Sequence, residues 1–206
     1  MKKLLLPILI AACLWFIMFS PWTLPHLNFW IFMSFSAVVL IFMSFKLRKR
    51  WKDDIDFNIE SILFGAASAC LLWLFFYIGN YLSTEYFNFA KPQIASIYGL
   101  RDGTNKVLIA LALFFLIGPA EVIFWQGLIQ SKLMQRYGDW TGFFITAIIY
   151  TSVHIFSFNL MLIAAAFVCG TFWSFLYMFM QPRNLVPILV SHVLWDIMIF
   201  VLFPVA

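Results

Sequence analysis

Long apolar runs separated by short polar breaks dominate the pattern along the chain. They fall at about Leu4 to Phe19, Leu27 to Phe45, Ile62 to Tyr81, Val107 to Gln130, Thr141 to Phe156, Leu160 to Met180 and Leu185 to Val205, several of them bounded by Pro, Asn or charged residues. A helix needs roughly 20 residues to cross the hydrocarbon core, and in lipid a helix satisfies its own backbone polar groups. The pattern therefore predicts an all-α, polytopic membrane protein of about seven transmembrane helices. The longest break, 82–106, carries Asn, Ser, Lys-Pro and Gly-Leu-Arg-Asp-Gly signals and reads as a loop or short interfacial helix. It divides one integral membrane domain, 1–206, into a three-helix part over 1–81 and a four-helix part over 107–205.

Composition agrees with this picture and excludes an ordinary globular domain: of 206 residues 64% are hydrophobic and only 11% charged. The net charge of +4 implies no nucleic-acid partner, because its largest block, Lys46 to Lys52, sits at a span boundary where basic residues mark the cytoplasmic side. With the N-terminus inside, Lys2, Lys3, that block, Lys132, Arg136 and Arg183 all face the cytoplasm, and only Lys91, Arg101 and Lys106 face the other side. The chain is thus expected to be a multi-pass protein of a bacterial cell membrane, with a cytoplasmic N-terminus and membrane lipid as its surroundings. The opening MKKLLLPILIAAC also allows a cleaved signal peptide or a lipoprotein signal ending at Cys13. Hydrophobicity continues through LWFIMF, which favours a retained helix. Cys13, Cys70 and Cys169 fall inside spans and imply neither disulfides nor a cysteine metal motif.

Candidate chemistry lies in the polar residues left at depth. Seven of the nine acids occupy loops or span edges; the exceptions are Glu121 and Asp196. His154 and His192 lie in predicted helices of the same half, with no deep Lys or Arg to pair with any of the four. A charge at that depth costs roughly 2.5 to 3.5 kcal/mol on insertion scales, so one shared site is the economical arrangement. His192 and Asp196, four apart, project from one helix face. Counted from the inner ends of the spans, Glu121 and His192 lie at similar depth and His154 deeper. Glu, two His and Asp suit activation of water: a carboxylate accepts its proton, and an imidazole or neutral acid stabilises the oxyanion that forms on a carbonyl. The same groups could also serve as structural bonds, with Gln126 and Ser152 as interhelical glue.

The order and spacing of these groups resemble the family of CAAX prenyl proteases and bacteriocin-processing intramembrane proteases. That family shows EExxxRG, then FxxxH, then HxxxN, each on its own helix. Here the motifs read Glu121 to Gly127 (EVIFWQG), Tyr150 to His154 (YTSVH) and His192 to Asp196 (HVLWD), within roughly Gly118 to Ile197. The resemblance implies an intramembrane endopeptidase with a pocket opening toward the cytosol, in which Glu121 and His154 activate water and His192 and Asp196 stabilise the oxyanion. Gln126 and Tyr150 would support them. The substrate would be a peptide or protein arriving from the cytoplasmic side or the bilayer. A divalent metal such as Zn, on Glu121, His154 and His192, is compatible with that set, as is catalysis without metal.

Three positions depart from the pattern. Asp196 stands where the family has Asn, and Val122 replaces a second Glu and Gln126 an Arg. If that pair only positions the helix, losing both leaves no buried charge alone. If the second Glu shares in proton transfer, the chain is a degenerate relative acting as a membrane binding or immunity protein. Two further readings belong to other classes: His154 and His192 as axial ligands to a haem, or Glu121 as the proton relay of an ion-coupled transporter.

Overall fold

The computed structural model describes residues 2–49, 51, 54–180 and 182–205. Arg50 and Lys52 of the basic block, and Asp53 after it, lie outside the described residues, as do the side chains of Lys2 and Lys3. Eight helices follow one another: α1 (Lys2–Phe19), α2 (Phe29–Leu47), α3 (Ile59–Tyr86), α4 (Ala90–Gly99), α5 (Lys106–Tyr137), α6 (Asp139–Val153), α7 (Leu160–Phe179) and α8 (Val186–Leu202), with no strand among the described residues. Asparagines start four of them. Asn28, Asn58, Asn105 and Asn159 each accept a bond from a backbone N–H of the first turn, at 2.8 to 3.1 Å.

Five of these helices, α2, α3, α5, α6 with its extension to Ser157, and α7, are long and apolar enough to cross a membrane. The apolar parts of α1 and α8 are shorter, so the length criterion gives five spans where the sequence pattern suggested about seven. For α8 the cause is visible. Leu185 N–H donates to the Asp54 carbonyl at 2.7 Å, so the connection before α8 folds into the bundle and the helix begins at Val186, already buried. Asp54, which reads as a loop residue in the sequence, is itself buried, paired with Arg48 and accepting from Tyr177 Oη at 3.0 Å. Arg48 also donates to the carbonyl of Gly127.

Two contacts fix α5 antiparallel to α8. A Cβ on Gly118 would lie 2.8 Å from the Val193 side chain, and one on Gly127 would lie 3.2 Å from that of Leu185, so both glycines are places of close approach. The buried core takes residues from every helix, from Leu4 and Trp15 in α1 to Trp195 and Ile199 in α8.

Helix α5 is irregular around the middle. Leu113–Ile117 and Ile123–Gln130 are π-helical, and Gly118–Val122 between them is α-helical. Pro119 explains the first: it has no N–H to return, and the Gly118 N–H reaches Leu113 O instead. Glu121 sits in the short α segment between these two wide stretches.

Candidate active site

Glu121 is 6% exposed, and its Oε2 accepts from Tyr150 Oη at 3.0 Å. Tyr150 belongs to α6 and holds a second site residue as well: its carbonyl lies 2.8 Å from Nδ1 of His154. A carbonyl only accepts, so Nδ1 carries the proton and Nε2 carries the lone pair. That lone pair is taken by Trp15 of α1, whose Nε1–H donates at 3.0 Å. His154 is not inside α6 but caps it, followed by a 3-10 turn, Ile155–Ser157, and by Phe158 at a φ of 51°.

The greater depth expected for His154 disappears with the observed helix ends. Helix α5 continues past the apolar run to Tyr137, burying Leu133 and Met134. At 1.5 Å per residue Glu121 lies about 24 Å from that end and His154 about 22 Å from the start of α6, which puts them level. From the Gly127–Leu185 contact, Glu121 and His192 each lie about 10 Å further along their helices, so they are level too.

The opposite wall is formed by α7 and α8. His192 stacks on Trp173, with centroids 3.7 Å apart and planes 10° from parallel. Its Nε2 stands 3.6 Å from Asp196 Oδ2, longer than a hydrogen bond, so the stacking and not the carboxylate holds the ring. His192 Nδ1 is buried with no protein partner among the described residues, as is Trp195 Nε1. Tyr150 is fixed by close contact: a Cβ on Gly170 of α7 would fall 2.5 Å from its ring.

Glu121, Tyr150, His154, His192 and Asp196 all line one cavity of about 500 Å³. Gln126 is buried but does not line it. The rest of the lining is almost wholly apolar, and none of it comes from the described residues of 34–74, 122–149 or 174–191. The cavity therefore occupies the half of the bundle where α4 lies, away from Arg48, Lys132 and Arg183.

Among the described residues no three His, Cys, Asp or Glu side chains come together as a group that could hold a metal ion, and this includes Glu121, His154 and His192. The donor chemistry agrees, because neither nitrogen of His154 has a lone pair to spare. The same Trp15 bond occupies the nitrogen that an axial haem ligand would use. Trp15, Trp173 and Trp195 were not legible as site residues: a Trp in an apolar run carries no mark that separates packing from a role in the cavity.

Residues 103–198 match the family model described as type II CAAX prenyl endopeptidase, Rce1-like, a stretch that holds Glu121, Tyr150, His154, His192 and Asp196 but not Trp15. No curated protein and no solved structure matches the chain. Over that stretch, a little under half of its length, the chain is similar to the Rce1-like type II CAAX prenyl endopeptidases, which supports a CAAX-type membrane protease.

Proposed function

We propose that the chain is an intramembrane endopeptidase that hydrolyses a peptide bond at the floor of this cavity. The observation that carries the reading is that Glu121 and His192, on antiparallel helices, are level and line the same space, while His192 Nδ1 has no partner among the described residues. Glu121 takes a proton from water as its oxygen bonds to the scissile carbonyl carbon. The oxyanion that forms is met by an N–H of His192, with the Trp195 indole N–H within the same lining. Collapse of the intermediate breaks the C–N bond, and the proton held by Glu121 passes to the leaving amine. Tyr150 fixes the carboxylate by its hydroxyl and His154 by its carbonyl. In this arrangement His154 orients the turn and takes no proton, because Trp15 holds its free lone pair.

That last contact also favours a second reading, a degenerate relative in which Trp15 and the Val122 and Gln126 replacements leave a binding protein. Purified full-length protein in liposomes, given a mixture of apolar peptides and read by mass spectrometry, separates the two. The peptidase reading expects new termini with wild type that vanish with Glu121→Gln. The same products from both proteins would remove Glu121 from the chemistry.

A further inference from the structure

His192 lacks the bond that ordinarily aims a working histidine. An imidazole turns easily about its last torsion, and a hydrogen bond at one ring nitrogen usually fixes the ring so that the other can act. Among the described residues Nδ1 of His192 has no partner, and Nε2 stands 3.6 Å from Asp196 Oδ2, too far for a bond. Trp173 supplies the constraint instead. Its indole covers the imidazole face to face, 3.7 Å between centroids and 10° from parallel. Stacking acts on the face of the ring, so both nitrogens, which point outward in its plane, stay available to a ligand.

The brace is itself fixed. Trp173 Nε1–H donates to Ser191 Oγ at 3.2 Å, and neither side chain is more than 1% exposed. Ser191 directly precedes His192 in α8, so the indole of α7 is tied to the helix that carries the ring it covers. Trp195 meets Trp173 edge-on, 5.6 Å away at 80°, and is backed by Phe76 of α3 at 4.8 Å. It follows His192 by three residues, on the same face of α8, and its Nε1–H is buried with no partner among the described residues. One indole thus packs against both α8 side chains whose buried nitrogens are unpartnered. Trp173, His192, Trp195 and Glu121 line the same cavity.

We propose that Trp173 is a positioning residue for the reaction. It holds the imidazole of His192, and by its edge the indole of Trp195, so that their N–H groups converge on the oxyanion that grows as Glu121 delivers water. The inference rests on the peptidase reading for the step it serves and on the stacked, bonded geometry for the residue that serves it.

The test uses the full chain in liposomes with Trp173→Leu, Trp173→Phe or Ser191→Ala, each compared at equal folded fraction. Two ligands are given to each protein: an apolar peptide substrate, and the same peptide with a phosphinate in place of the scissile amide, whose anionic oxygen stands where the oxyanion forms. Trp173→Leu removes the flat face and is expected to lower kcat roughly 10- to 100-fold with KM within threefold, and to weaken phosphinate binding by a similar factor. Trp173→Phe keeps a ring to stack on and should recover most of that loss. Ser191→Ala loosens the indole without removing it, so it tests the proposal even where Trp173→Leu fails to fold; kcat should fall about fivefold. Packing alone would change stability and leave kcat and phosphinate affinity of the folded variants within twofold of wild type. That result, a rise in KM in place of a fall in kcat, or no binding of the phosphinate by wild type overturns the proposal. If wild type binds the phosphinate and loses it with Trp173→Leu but cuts no peptide, the role of Trp173 stands and the peptidase reading fails.

Discussion

Tyr150→Phe removes a single oxygen from the centre of the site. The ring stays, and with it the contact against Gly170 and the edge-on packing with Trp125, 5.3 Å between centroids. The backbone carbonyl that holds His154 stays as well. What is lost is the donor to Glu121 Oε2 at 3.0 Å, in a place where the residue is 6% exposed and, among the described residues, no other donor bonds the carboxylate. A hydrogen bond to a charged group is worth roughly 1.5 to 3 kcal/mol. If that energy orients the base in the transition state, the loss lowers kcat by about 10- to 100-fold at 1.36 kcal/mol per tenfold. The assay is steady-state cleavage in liposomes, with the melting temperature in detergent measured alongside. KM should change little, since the hydroxyl touches the base and not the substrate. A kcat within twofold of wild type would refute a positioning role for Tyr150 and weaken the assignment of Glu121 as base.

Other perturbations test neighbouring parts of the site. Trp15→Phe keeps an aromatic ring in the core but frees Nε2 of His154; turnover should rise severalfold if the indole restrains the histidine, and a fall would mark Trp15 as part of the working site. Gly170→Ala places a methyl 2.5 Å from the Tyr150 ring, an overpacking expected to cost about 1 to 3 kcal/mol in a reversible unfolding assay, and unchanged stability would contradict the close approach of α6 and α7. Val122→Glu puts a carboxyl where the side chain is 1% exposed and should lower thermal stability sharply. Adding Gln126→Arg should restore part of it, and no recovery would show that the two positions do not face each other.

The all-helical, membrane-spanning character, though not the number of spans, and the acidic and imidazole residues that line the cavity were legible because lipid makes polarity conspicuous: Glu121 stands alone in its run, and Asn28, Asn58, Asn105 and Asn159 mark helix starts by capping chemistry. Depth was less legible. The polar stretch Ser131 to Tyr137 looks like a loop, yet it continues α5 because Leu133 and Met134 bury themselves beneath α6, and that single extension brings His154 level with Glu121. The 82–106 break resolves into the end of α3, a ten-residue α4 and a turn, close to the interfacial helix that its composition suggested. The indole on His154 was invisible for a different reason. Trp15 and His154 are 139 residues apart, and nothing local in α1 announces a partner. Nor could the helix pattern tell which half of the bundle holds the cavity, since that depends on how eight helices splay.

A double-variant cycle on Glu121 and His192 tests most directly whether they share one reacting centre. Rates of peptide cleavage are measured for wild type, Glu121→Gln, His192→Ala and the pair, in the same liposomes and at equal folded fraction. Groups that act on one transition state are strongly non-additive, so the pair should be about as slow as the slower single variant. Losses that simply multiply would place the two residues in separate functions and contradict the account.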